Sequence, residues 1–305
     1  MIYAITFRAM GCQVEIKLDA PGGDAILAEM PAKFDVLEDC LSRFRPDSEL
    51  MRLNAQVGRW VTASDVLFDN IHVAKHMARL TDGLFNPLVL PALIANGYDR
   101  SFESLSPRPE IPARLAPDWR GIELDFAARL VRLPAGGMMD LGGSAKGWTA
   151  QRIAAELVAS GPCLVNIGGD VVVRGAPDGL PGWQIDIADP TSDDSLSTVW
   201  LRDAAIVTSG IDYRRWTGTD GQTRHHIINP VTGMPAETDV LTATIIHPDA
   251  ATAEAYAKAV LLMGSETGLT WLDERWHAAG LVVRQDGEVV ATTDFVSYLR
   301  EGISL

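Results

Sequence analysis

The stretch GGMMDLGGSAKGWTAQRIAAELVASGPCLVNIGGDVVVRG, residues 136–175, says the most about how this chain folds. Asp140-Leu141-Gly142-Gly143-Ser144-Ala145-Lys146-Gly147 leads directly into an amphipathic pattern. That pattern predicts a helix from about 144 to 160, with Gly161 as its stop signal. Apolar runs at 163–165 and 171–173 flank the Gly168-Gly169 turn, and short strands are expected near 163–167 and 170–174. Adjacent glycines allow close backbone approach and positive φ. A new helix offers N–H groups that suit phosphate oxygens, and Lys146 adds a point charge. The spacing is neither GxxxxGK[ST] nor GxGxxG, so a plain strand–helix turn with a surface lysine stays open beside a phosphate cradle. Asn166-Ile167-Gly168-Gly169-Asp170 has two equal readings. One is a β-turn with Asp170 capping its own backbone; the other is a second backbone surface facing the same ligand.

Outward from this centre, residues 1–18 predict two strands, with Val14, Ile16 and Leu18 alternating with Glu15 and Lys17. Residues 24–41 have a helical pattern, and 42–54 read as a loop or short broken helix. Ser64 caps a second predicted helix that ends before Gly83. Residues 84–97, with Pro87, Pro91 and Gly97, predict an irregular packed segment. The stretch 101–120 predicts a surface excursion, followed by short strands at 121–133. Towards the C-terminus, strands are expected near 183–187, 197–201, 205–208 and 240–247. A helix capped by Asp249 spans 249–263, and a last strand pair, 280–284 and 288–292, turns at Asp286-Gly287. Many short strands with a few long helices make the fold class α+β.

The chain has 305 residues, 47% of them hydrophobic and 22% charged, so wholesale disorder is excluded. The formal charge of -14 argues against a general nucleic-acid binder, while leaving room for a basic pocket around one phosphorylated ligand. Cys12, Cys40 and Cys163 form no CxxC and are expected reduced and buried. Arg8 interrupts the only leader-like stretch, and no window reaches the length of a membrane span, so a soluble cytoplasmic protein is expected.

Three further segments carry chemistry. In His225-His226-Ile227-Ile228-Asn229-Pro230-Val231-Thr232-Gly233, adjacent side chains of a strand would face opposite sides, so at most one histidine addresses a given site. That histidine could touch a phosphorylated ligand or carry a proton; a solvated pair on a turn remains equally open. Zinc is not supported, since neither HExxH nor clustered cysteines assist. Thr208-Ser209-Gly210-Ile211-Asp212 follows the apolar strand end Ala205-Ile206-Val207, where ligand-binding loops often lie. In the helix from 249, Glu254 and Lys258 are four apart and share a face. They form an exposed ion pair, or they line a phosphate or metal site.

Taken in order, these segments resemble the flavin transferase family, FAD:protein FMN transferase, formerly described as thiamine-biosynthesis lipoproteins. The resemblance lies in AMGCQVEI (9–16), LSRFRPDSELMRLN (41–54), DGLFNPLV (82–89) and MDLGGSAKGWTAQRIAAEL (139–157). It continues through NIGGDVVVRG (166–175), TSGIDYRRW (208–216), HHIINPVTGMP (225–235) and the helix 249–264. It implies a compact α+β fold of mixed, mainly antiparallel sheets with packed helices. Residues 1–305 would form a single domain, with two intimately packed lobes as a possible arrangement. It also implies binding of FAD and, with Mg²⁺, transfer of the FMN half to a threonine or serine hydroxyl of an acceptor flavoprotein, AMP leaving. Two alternatives accompany it: a non-catalytic FAD-binding protein, and a Mg²⁺-dependent FAD pyrophosphatase giving FMN and AMP.

The resemblance assigns roles residue by residue. Asp140, Gly142, Gly143, Ser144, Ala145 and Lys146 would cradle the diphosphate side. Met10 and Gly11 would shape the flavin pocket, and Phe44, Ser48 and Asn54 would run beside the flavin. Thr208, Ser209, Gly210 and Asp212 would line the catalytic cleft. His226 would contact phosphate or handle the proton, and Asp212 and Lys258 complete the candidate catalytic set. The Ala145 carbonyl and Glu254 would be metal ligands. The chain departs from the family pattern where Lys258 replaces a hydroxyl ligand, Asn86 and Asn229 replace aspartates, and Gln151 stands where an acid is common. These changes lower negative charge around two phosphates. Lys258 would then take over part of the metal's electrostatic role.

Overall fold

The computed structural model describes residues 1–105, 112–218 and 221–299. The chain divides into two compact units. The first comprises Met1–Phe34, Lys146–Gly210 and Thr238–Leu305, and the second Asp35–Ala145 and Ile211–Glu237.

The first unit is built on an eight-stranded sheet. Its strands are β1 (Ile2–Ala9), β2 (Cys12–Asp19), β3 (Cys163–Ile167), β4 (Asp170–Arg174), β5 (Ala205–Gly210), β6 (Val240–His247), β7 (Ala279–Arg284) and β8 (Val289–Ala291). They lie side by side in chain order, every neighbouring pair antiparallel. Strand alternation explains why the sheet is covered on both faces. Val165, Ile167, Val172 and Ala205 pack with Ala150, Ile153, Ala154 and Leu157 of the helix Ala145–Leu157. Leu164, Val171, Val173 and Ile206 point the other way and meet the hairpin Trp183–Ala188/Ser195–Leu201 and Phe295. The helix Ala250–Met263 packs on β4, β5 and β6.

Two tight hairpins close the same end of this sheet. Met10-Gly11 joins β1 to β2 with φ of 53° and 69°, and Gly168-Gly169 joins β3 to β4 with φ of 60° and 94°. Positive φ at both central residues matches the twist of the flanking strands. The Gly168 N–H donates to the Gln13 carbonyl at 3.0 Å, and so ties the turns together. A Cβ at Gly168 would stand 2.8 Å from the Cys12 Cβ and Sγ, so glycine is required there by space as well as by φ.

The second unit contains the helices Glu49–Asn54, Asp65–Leu80 and Leu90–Ala95, a small sheet of Trp60–Thr62, Leu130–Arg132 and Glu123–Asp125, and the hairpin Arg215–Thr217/Thr223–His225. Ser48 and Ser64 cap their helices by accepting from Met51 and Leu67 N–H groups.

The α+β class and the antiparallel pairing agree with expectation. Several local expectations change. Residues 23–41 form two helices, Gly23–Ala28 and Met30–Leu41, and 84–97 contains a regular helix behind Pro91. The polar run 42–54 ends in a capped helix because Ser48 supplies the missing acceptor. Thr208-Ser209-Gly210 is strand rather than loop, since it pairs with Thr242–Thr244 of β6. Of the three free cysteines only Cys163 is buried; Cys12 and Cys40 are half-buried. Part of the excursion expected at 101–120 lies outside the described residues, at 106–111. Among the described residues, no helix is long and apolar enough to cross a membrane.

Candidate functional site

In the first unit four charged side chains gather beside the hairpin end of the sheet. Asp170 opens β4 on the face that packs against helices, because it shares the parity of Val172. It is buried and pairs with Lys146, the second residue of its helix. One turn into the neighbouring helix, Lys258 Nζ lies 3.1 Å from Glu254 Oε1. Glu254 Oε2 has no hydrogen-bond partner among the described residues. A Cβ at Gly147 would come within 3.0 Å of that oxygen and 3.2 Å of the Ala250 carbonyl. Gly147 is therefore what lets the two helices approach closely enough to bring Lys146 and Glu254 into one electrostatic neighbourhood.

The electrostatics follow from burial and pairing. Burial alone would depress the Lys146 ammonium, but Asp170 and Glu254 outweigh it and hold the lysine above its ordinary value. Burial pushes Asp170 up, with Glu254 adding to it, against the opposing pull of Lys146 and Lys258. Lys146 therefore stays cationic at neutral pH.

Gln151 explains one departure from the family pattern. Its Nε2 donates to Asp249 Oδ2 and its Oε1 accepts from the Ala250 N–H, both at 2.8 Å. The amide thus ties one helix to the start of the next, and an acid at 151 would face Asp249 as a like charge. Asp249 itself caps its helix by accepting from Thr252 N and Oγ1 at 2.7 Å. Those hydrogen bonds, with that from Gln151, outweigh burial and hold its carboxyl below the usual range.

The other candidates of this unit stand at the same sheet end. Met10 and Gly11 form the β1–β2 turn. The β4–β5 ladder covers only Ala205↔Val172 and Ile206↔Val171, so Thr208, Ser209 and Gly210 run on past it. Thr208 Oγ1 lies 2.9 Å from Thr244 Oγ1.

The second unit carries the remaining candidates. Asp140 accepts from Arg43 Nε at 2.8 Å through Oδ2 and from the Gly142 N–H at 2.6 Å through Oδ1. Gly142 and Gly143 do not take positive φ, contrary to expectation. Glycine is needed at 142 because a Cβ would stand 2.9 Å from Asp140 Oδ1. Ser144 Oγ donates to buried Asn70 Oδ1 at 3.1 Å, and Ala145, which follows it, begins the helix. Asn54 commits both ends of its amide to the Met139 backbone, at 2.9 and 2.7 Å. Ser48 is a buried helix cap. Asn54 thereby holds the turn's approach in place. Phe44 is exposed, with the Arg43 guanidinium 4.1 Å from its ring centre.

The strand ends at His225, so alternation does not govern the histidine pair. His225 is buried with Nε2 3.1 Å from the Ala236 carbonyl, and burial lowers its pKa. His226 is partly exposed, just beyond the strand end, and Asp212 is exposed. Asn86 and Asn229 serve local turns, Asn86 by accepting from Leu88 N and donating to the Pro117 carbonyl, and Asn229 by accepting from Val231 N. An aspartate at 86 could not make that donation.

Sequence reasoning missed Asp170 as a charged member of the site, and Arg43 and Asn70 altogether. For Asp170 there was a signal: a carboxylate at the head of an all-apolar strand must be buried, and a buried carboxylate needs a cation. Arg43 had none, since its partners Asp140 and Tyr98 are remote in sequence.

Among the described residues, no group of three or more His, Cys, Asp or Glu could hold a metal ion. Of the two expected donors, Ala145 would offer only a backbone carbonyl and the Glu254 carboxylate is already paired with an ammonium, whereas Mg²⁺ demands several oxygens in near-octahedral array. The residues present do not fit a protein-held Mg²⁺. They do suit a diphosphate, with two ammonium groups beside two tight hairpin turns.

Comparison with known proteins identifies the family. The chain is 33% identical to an FAD:protein FMN transferase of Treponema pallidum, over 95% of this chain and 86% of that protein. It is 27% identical to one of Klebsiella pneumoniae, over 96% and 92%. In structure it is similar to the ApbE protein of Thermotoga maritima, with a TM-score of 0.87 and 28% identity over 99% of this chain and 100% of the other. Its fold also resembles that of the apo flavinyl transferase ApbE of Pseudomonas stutzeri, with a TM-score of 0.84 over 99% and 98%. Residues 10–282 match the ApbE family, and the chain belongs to it.

Proposed function

We propose that this protein binds FAD as a substrate and transfers its FMN half to a threonine or serine hydroxyl of an acceptor flavoprotein, releasing AMP. The observation that carries the reading is the Lys146–Asp170 and Glu254–Lys258 cluster at the hairpin end of the sheet, in a chain of this family. Residues 1–305 act as one functional domain.

In the reaction the acceptor oxygen bonds to the FMN-side phosphorus as the bond from that phosphorus to the AMP oxygen breaks. AMP departs with that electron pair. The hydroxyl proton passes to a base, for which His226 is the first choice and Asp212 the second. Phosphoryl transfer of this kind depends on positioning and neutralised charge. Lys146 and Lys258 supply the positive charge, while Asp170 and Glu254 fix where it stands. Asp140, Gly142, Gly143, Ser144 and Ala145 offer turn and helix-start backbone to the diphosphate side. Arg43, Asn54 and Asn70 keep that turn in shape, and Ser48 caps the helix that carries Asn54. Met10 and Gly11 face the flavin, and Thr208, Ser209 and Gly210 line the cleft. No step is assigned to Mg²⁺, because Lys258 already claims the Glu254 carboxylate. The three free cysteines suit a reducing compartment, and the cytoplasm is the proposed site of action.

The test is incubation with FAD and an acceptor flavoprotein bearing a DxxxGA[TS]-like motif, read by intact mass and AMP release. Transfer yields an acceptor heavier by one FMN, with AMP in equal amount. Free FMN and AMP beside an unmodified acceptor would indicate hydrolysis, and FAD retained intact would indicate a binding protein.

A further inference from the structure

Glu254 and Lys258 stand one helical turn apart on the same face. The Glu254 side chain is 2% exposed and that of Lys258 17%, so this is not a solvated surface pair. Their neighbours are equally enclosed, Asp170 at 1% and Lys146 at 18%. Two carboxylates and two ammonium groups leave the cluster without net charge. A buried carboxylate requires a cation beside it, and here each carboxylate already has one. A divalent ion at Glu254 would face the Lys258 ammonium as a like charge at close range in a weakly screened site. Yet Glu254 Oε2 is buried without a hydrogen-bond partner among the described residues, so the carboxylate keeps one unused ligating atom.

We infer that Lys258 is the resident cation of this site: its ammonium takes the position at Glu254 that a divalent ion would otherwise occupy. The protein itself therefore holds no metal there, and it meets the diphosphate of its substrate with the fixed charges of Lys258 and Lys146. Lys258 thereby determines metal dependence. The metal half of this inference stands on the cluster alone, and the diphosphate half rests on the flavin-transfer reading.

The experiment titrates the nucleotide-free protein with Mn²⁺ and follows the ion by electron paramagnetic resonance. Wild type takes up no stoichiometric Mn²⁺. Lys258→Ser, which releases Glu254 Oε1 beside the already unpartnered Oε2 and adds a hydroxyl, takes up one equivalent, and adding Glu254→Gln to it abolishes the uptake. In parallel, FAD affinity is read by flavin fluorescence in EDTA and in Mg²⁺. Wild type gives the same value in both buffers. Lys258→Ser loses at least about tenfold in EDTA and recovers in Mg²⁺. One equivalent of Mn²⁺ on wild type overturns the inference, and that measurement requires no variant to fold. No uptake by a folded Lys258→Ser protein, or wild-type FAD affinity that collapses in EDTA, overturns it as well. Failure of wild type to bind FAD in either buffer overturns the flavin reading alone, and the Mn²⁺ titration then still decides whether Lys258 holds the cation's place.

Discussion

The two units each bury an ionic group, and they build it differently. In the second unit Arg43 meets Asp140 at 2.8 Å, donates to the Tyr98 carbonyl at 3.0 Å and lies over the rings of Phe44 and Tyr98. Asp140 in turn orders the Gly142 N–H. Every contact there fixes shape. In the first unit Lys146, Asp170, Glu254 and Lys258 answer mainly to one another; each group leaves a buried atom without a hydrogen-bond partner among the described residues, Arg43 Nη2 in the second unit and Glu254 Oε2 in the first. The first arrangement is a clamp on a loop. The second is a set of paired charges, which on the proposed reading a diphosphate engages.

If that distinction holds, Arg43→Ala has the largest effect on stability. It strands Asp140, 11% exposed, and should cost about 3–5 kcal/mol in urea unfolding. Lys146→Met should cost less, about 2 kcal/mol, because Asp170 is already displaced towards its neutral form and can take up a proton. Equal losses would erase the contrast. The sign for Lys146 is that of a raised base: its contribution is complete below the ordinary 10.5 and disappears as pH rises through the still higher folded value.

Gly168→Ala tests the frame rather than the charges. With φ of +60° and a contact of 2.8 Å to Cys12, it should cost about 2 kcal/mol in thermal unfolding. Asp249→Ala should cost about 1 kcal/mol at neutral pH, as the loss of a helix cap. The folded carboxyl lies below its ordinary 3.8, so the benefit is present above 3.8 and is lost as pH falls through the depressed value. The wild-type and mutant unfolding curves should therefore converge in acid. Lys33→Ala should change stability by no more than about 0.5 kcal/mol, since its pair with Glu156 is 42% and 44% exposed.

Much of the frame was legible in the chain. Apolar runs at 163–165 and 171–173 place their strands, Ser64 and Asp249 announce their helices, and Gly168-Gly169 marks a hairpin. What local pattern could not carry was partnership across sequence distance. Asp170 reads as a turn residue until Lys146 is brought beside it, 24 residues away in the chain. Asn54 reads as a ligand contact until its amide is seen paired with Met139, 85 residues on. Glu254 and Lys258 read as an exposed pair because nothing in their own helix shows that β4–β6 bury that face. Gly142 was justified by backbone freedom when its reason is the oxygen of Asp140.

The central claim is that the charged cluster of the first unit serves the phosphates of FAD and not merely the fold. The direct measurement compares FAD and riboflavin affinities for wild type and Lys146→Met, under conditions where both proteins are folded. The account predicts a loss of about tenfold or more for FAD and an unchanged value for riboflavin, which has no phosphate. Equal losses for the two ligands, or none for either, would contradict it.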